Sequence, residues 1–280
     1  MKTVDNFRYG KLKRAKPVKM SMQALGQLIS SLEEDTFASS LSSALREVAP
    51  FDFTVVFGYH GSAQPLDLYD DFPRGKGKVF VEDYQAGPYL LDPFYLASTK
   101  PVDSGLYRLR DLAPDRFYQS EYFRNYYVQT GLAEEIAFFI NLPDEAVVIV
   151  SLMRARKSFT AKEFRDLGQY FPVVLAACQR NWADLALKFG ASGSNQQAGG
   201  NARSLEIALQ KFGKDLLTTR EREVVEFTLK GHSAVAVGKI LGISPGTVRI
   251  HRRNIYSKLR IRSQGELFSG FIKTLLDDPT

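Results

Sequence analysis

Apolar residues recur at helical spacing early in the chain. Leu25, Leu28, Ile29 and Leu32 form one such stripe and Phe37, Leu41, Leu45 and Val48 another, which predicts two helices ended by Pro50. Phe51 to Tyr59 is rich in β-branched and aromatic residues and predicts a strand. His60-Gly61-Ser62 then reads as a turn, with Leu66 to Phe72 as the hairpin partner. Val79 to Leu91 is mixed and breaks at Gly87-Pro88. Asp92 predicts a helix cap, with Pro93 at the first helical position, where a missing N–H is harmless. Residues 100–114 are loop-rich, and Ser120 to Gln129 is an aromatic helix closed by Gly131. Leu132 to Leu142 and Ala146 to Arg154 read as strands on either side of a Pro143-Asp144-Glu145 turn. Thr160 and Glu163 have the spacing of a capping box, opening an apolar helix to Phe189 that Pro172 should kink or split.

Three further helix signals lie back to back near the C-terminus. Thr218 with Glu221 is a second capping box, ahead of Val224, Val225, Phe227 and Leu229, and Gly231 can end that helix. Ser233 caps a short helix to Leu241, Gly242-Ile243 is a tight turn, and Ser244 with Pro245 starts a third helix. The order predicts an α+β chain. An α/β/α sandwich with an antiparallel-rich sheet spans 21–189, and an all-α four-helix domain spans 203–280. Between them 190–202, GASGSNQQAGGNA, is small, polar and uncharged, a flexible linker spanning ~20 Å. Residues 1–20 form a basic tail.

Charge sharpens this division. The net charge of +6 resolves into +8 over 203–262, +6 over 1–20, −6 over 21–202 and −2 over 263–280, so a polyanion partner belongs to the C-terminal part. The lone cysteine, Cys178, allows no intramolecular disulfide, which fits a cytoplasmic protein. No apolar run reaches the length of a membrane span. His60, His232 and His251 are scattered, so no metal site, cofactor site or catalytic constellation is expected.

In the third C-terminal helix Val248, His251, Ile255 and Leu259 form the inward stripe. Arg249 and Arg253 share a face one turn apart, beside Arg252. Two helices joined by a short glycine turn are the helix-turn-helix pattern, and outward arginines can pair both donors with guanine O6 and N7 in the major groove. Thr247, near the helix N-terminus, can bind a phosphate. The stretch resembles the C-terminal domain of LuxR/NarL transcription regulators. The matches include Leu217-Thr218, Arg220-Glu221, Gly231, Leu241-Gly242-Ile243-Ser244, Thr247-Val248, His251, Asn254-Ile255, Lys258-Leu259 and Glu266-Leu267. The resemblance implies binding to double-stranded promoter DNA through Ser244, Thr247, Arg249, His251, Arg252, Arg253 and Lys258, with base contacts from the positions of Arg249 and Arg253. It also implies a homodimer paired by the last helix, from Ser263. One departure is Ala236-Val237-Gly238, where the family usually has Glu-Ile-Ala; Gly238 lowers helix propensity but permits closer packing.

The element order of 21–189 resembles the autoinducer-binding domain found in front of many such helix-turn-helix domains. Asp92-Pro93 matches that family's Asp-Pro pair, where the Asp accepts a hydrogen bond from the ligand amide. Tyr84, Tyr89 and Tyr107 stand near its aromatic positions, and Glu134 or Glu135 near a glycine. The implied small-molecule site is therefore Tyr84, Tyr89, Asp92, Tyr107 and Glu135; the alternative is that the aromatics fill a core and Asp92 only caps a helix. The extra carboxylate argues for a ligand bearing an amine or several hydroxyls. Competing readings are an orphan regulator without ligand and a phosphorylation-switched regulator, which needs repeated parallel βα units.

Overall fold

The computed structural model describes residues 19–61, 63–73, 77–85, 87–100, 102–192 and 208–276. The predicted basic tail lies almost wholly outside these residues, as does most of the predicted linker. Five strands form one sheet: β1 (Phe53–His60), β2 (Leu66–Asp70), β3 (Gly105–Arg108), β4 (Glu134–Asn141) and β5 (Ala146–Arg154). Their order is β2-β1-β5-β4-β3 and every neighbouring pair is antiparallel. That pattern contradicts the parallel βα units a phosphorylation-switched receiver needs. The central strand β5 reads AVVIVSLMR and is buried at every position, as expected of an apolar run covered on both faces.

Alternation assigns each residue to a face. Val56, Ile136, Phe138, Ile140, Val148, Val150 and Leu152 belong to one core. It is covered by α1 (Met22–Ser30), α2 (Phe37–Val48) and, after α3 (Pro93–Ser98) on the other side, by α4 (Ala161–Gln169), α5 (Phe171–Asn181) and α6 (Leu185–Ser192). Pro172 splits the predicted long helix into α4 and α5, with Tyr170 between them. The Thr160–Glu163 capping box forms as expected. Asp144 and Glu145 both take left-handed φ, 56° and 60°, which gives the β4–β5 hairpin the primed turn that suits strand twist.

The opposite face carries Val55, Phe57, Tyr59, Ala137, Phe139, Ile149 and Met153. Irregular backbone covers it: a π turn at Lys78–Glu82, a 3₁₀ turn at Pro88–Leu91, α3, a 3₁₀ turn at Phe117–Gln119 and a π segment at Phe123–Tyr127. The predicted aromatic helix is thus π-wound, and Gly131 closes it with φ 70°. Within the predicted loop-rich crossing the chain forms β3, paired to β4.

The C-terminal helices are α7 (Thr219–Leu229), α8 (Ala234–Leu241), α9 (Pro245–Leu259) and α10 (Gln264–Leu276). Thr218, Ser233 and Ser244 cap α7, α8 and α9 as the sequence predicts. Val224, Val225, Leu229, Val237, Val248, Ile255, Leu267 and Phe271 make their small core. A Cβ on Gly238 would stand 2.7 Å from the Ile243 carbonyl, so glycine lets the turn between α8 and α9 close onto α8.

Candidate nucleic-acid interface and ligand pocket

Helix α9 has 15 residues, about 22 Å of rod, which suits a major groove. Its Ser244 cap accepts from the Thr247 N–H at 3.0 Å, and the two hydroxyls meet at 2.8 Å. Val248 and Ile255 are buried, whereas Arg249, Ile250, Arg253 and Asn254 are exposed, so both arginines point away from the protein. His251 is half-buried on the inward side.

Two residues expected at DNA have partners within the fold: Arg252 turns inward, and Lys258, still exposed, is ion-paired. Arg252 donates from Nε to Thr228 Oγ1 at 3.1 Å and from Nη2 to the His232 carbonyl at 3.0 Å, tying α9 to α7 and to the turn that follows α7. Lys258 forms an ion pair with Glu221 Oε2 at 2.7 Å. Burial works against ionisation of Glu221, but Lys258 and the Thr218 bonds outweigh it and hold its pKa below the usual range. Both cations have partners within the fold, where the resemblance placed them on DNA.

The second site is a cavity of about 60 Å³ on the irregular face of the sheet, room for about four or five waters. Its polar lining is Tyr59, Tyr84, Asp92, Tyr122, Tyr127, Thr130, Glu135 and Ser151, set among Val55, Phe57, Phe80, Phe94, Ile149 and Met153. Asp92 caps α3 by accepting from the Phe94 N–H at 2.9 Å, and its other oxygen accepts from the Tyr84 hydroxyl at 2.7 Å. The Tyr84 and Tyr59 hydroxyls lie 3.2 Å apart, and the Tyr84 ring stacks on Phe57 with centroids 5.1 Å apart. Across the cavity the Tyr127 hydroxyl donates to Glu135 at 2.8 Å. Asp92 therefore both caps a helix and faces the cavity, which joins the two alternatives left open by the sequence.

Burial pushes Asp92 up to about 6 despite its bonds from Tyr84 and the Phe94 N–H. Burial, and then the charge of Asp92, push Glu135 up to about 7. Burial also raises Tyr59, Tyr84 and Tyr127 well above the usual phenol value.

Tyr84, Asp92 and Glu135 meet in the cavity as expected, but Tyr89 and Tyr107 do not line it. Tyr89 is buried behind it, edge-on to Tyr95 at 4.9 Å. Tyr107, on edge strand β3, donates its hydroxyl to the Asp103 carbonyl and packs on Phe139. Glu134 faces the other side of the sheet and pairs with Arg108, which leaves Glu135 as the pocket carboxylate. Tyr59, Tyr122, Tyr127 and Ser151 were missed, although the alternation of β1 and β5 would have placed Tyr59 beside Phe57, and Ser151 with Ile149 and Met153.

Residues 215–269 match the family of bacterial regulatory proteins called luxR. A protein of Aeromonas salmonicida named as an HTH-type transcriptional regulator in the exeN 3′ region is 31% identical over 190 residues, 67% of this chain and 96% of that protein. The chain belongs to the luxR family. This luxR-family transcriptional regulator is also 27% identical over 145 residues to the transcriptional regulatory protein MctR of Rhizobium johnstonii, covering 51% of the chain and 64% of that protein. Among solved structures, the VqsR LBD domain from Pseudomonas aeruginosa superposes with a TM-score of 0.51 at 26% identity, over 57% of this chain and 94% of that one.

Among the described residues, the segment that begins at Asp115 touches the C-terminal helices. The Arg116 N–H donates to the Gly231 carbonyl at 3.0 Å, and Asp115 accepts from the Ser233 N–H at 2.9 Å, at the turn between α7 and α8. Gly231 has φ 91°, and a Cβ there would stand 3.0 Å from the Phe117 Cα. The same stretch of chain continues into Tyr122, Tyr127 and Thr130 of the cavity wall. Burial alone would raise Asp115, but the Ser233 hydrogen bonds outweigh it and its pKa is lowered.

Proposed function

We propose that this luxR-family regulator binds promoter DNA sequence-specifically as a homodimer and that a small molecule in the cavity controls it. Arg249 and Arg253 read base edges in the major groove, Thr247 and the backbone N–H groups around Ser244 hold phosphate, and His251 stands beside them. Arg252 and Lys258 act indirectly, by fixing the angle of α9. The observation that carries ligand control is the continuity of residues 115–130. One end of this segment walls a buried polar cavity and the other bonds to the helix-turn-helix turn. The likeness to the VqsR LBD domain supports a ligand role for the N-terminal half. A homodimer follows from two recognition helices reading half-sites about one helical turn apart.

Selection from a random duplex pool, followed by binding titrations on the enriched site, tests this. Arg249→Ala and Arg253→Ala should each cost about 1–3 kcal/mol of specific binding and relax base preference at one position per half-site. Failure to enrich any sequence, or variants that discriminate as the parent does, would overturn the assignment.

A further inference from the structure

The chemistry of the cavity restricts what can enter it. Two carboxylates, Asp92 and Glu135, face one small volume, and none of its described lining residues is Lys, Arg or His. Their partners are neutral donors: the Tyr84 hydroxyl and Phe94 N–H for Asp92, and the Tyr127 and Ser151 hydroxyls for Glu135. An ionised carboxylate offers about four lone-pair sites, so each retains acceptor capacity. Tyr59, Phe80, Tyr122 and Phe94 surround the carboxylates, and the Phe57–Tyr84 stack adds ring faces that attract a cation. An anion would meet two carboxylates with no cation among the described lining residues to offset it. A neutral ligand with a single N–H would serve one carboxylate and leave the other buried without a counter-charge.

We propose that the cavity takes a compact organic ammonium ion, its N–H groups shared between Glu135 and Asp92 and its carbon skeleton held by the tyrosine rings. This rests on the reading of the N-terminal half as a ligand-controlled domain and adds the charge and size of the ligand. Glu135 is the specificity-determining residue, because Asp92 also caps α3 whatever is bound.

Calorimetric titration of the full chain with propylamine, its neutral isostere 1-propanol and the anion propionate, each within the size of about four or five waters, tests the proposal. The amine should bind at least tenfold more tightly than the alcohol, and propionate should not bind. Glu135→Gln should shrink the amine's advantage over the alcohol severalfold, with a melting temperature that confirms folding; Asp92→Asn, which keeps an acceptor at the α3 cap, should weaken the amine alone. Equal affinity for amine and alcohol in the parent chain, or an unchanged preference in Glu135→Gln, overturns the charge assignment. A neutral N-acyl lactone that binds and alters DNA affinity would likewise overturn it while leaving ligand control standing. If no probe of any charge binds, the ammonium assignment falls, while mass spectrometry of whatever small molecule co-purifies with the full chain decides ligand control separately.

Discussion

Glu135 lies on the inner face of a buried strand with a second carboxylate across a small cavity, and its titration reports on that setting. Its folded pKa is raised from 4.5 to about 7. Between those values the unfolded chain releases a proton that the folded chain keeps. The resulting stabilisation is therefore full below the unfolded value and lost as pH rises through the folded one. The span corresponds to on the order of 3 kcal/mol. Asp92, raised from 3.8 to about 6, acts in the same direction. Denaturant titrations of the ligand-free chain should show lower stability at pH 8 than at pH 5, and Glu135→Gln should remove much of the difference. A parent chain equally stable at both pH values would mean that Glu135 is solvated or already paired with a cation. At this scale the sequence was partly legible. Asp92 stood out through Pro93 and its capping position, whereas Tyr122 and Tyr127 lie in a π-wound turn whose spacing does not follow the helical period.

Among the elements, the C-terminal helices follow their local signals closely because caps and turns act over three or four residues. Thr218, Ser233 and Ser244 each cap the helix that their spacing announces. Strand β3 has no such signal; four residues beside Pro101 become a strand only because β4 offers them an edge. The pairing of Arg252 and Lys258 within the fold is hidden from the sequence for a similar reason, since their partners Thr228, His232 and Glu221 lie 20 to 37 residues away. Gly238 connects element geometry to function. Replacing it with alanine would favour the helix by roughly 1 kcal/mol but drive a Cβ against the Ile243 carbonyl. Overpacking of that kind typically costs about 1–3 kcal/mol. Gly238→Ala should therefore lower the melting temperature of the C-terminal half and weaken DNA binding. A more stable variant with unchanged DNA affinity would show that the turn relaxes freely.

For the whole molecule, the contact at 115–117 against 231–233 decides whether the two halves behave as one. Asp115 is a charged acceptor for the Ser233 N–H, a bond class contributing about 1.5–3 kcal/mol. Asp115→Ala should accelerate amide hydrogen exchange at Ser233 about tenfold or more while leaving β4 and β5 protected. It should also change DNA affinity without touching the recognition face. Unaltered exchange at Ser233 would show that the halves are held by other contacts. The neighbouring bond, from the Arg116 N–H to the Gly231 carbonyl, is of another kind, because both atoms are main chain. No replacement other than proline at position 116 deletes either partner. If the cavity takes an effector, descendants of this gene could exchange its lining residues for a new one and still inherit the main-chain link to the helix-turn-helix, provided position 231 stays without a side chain.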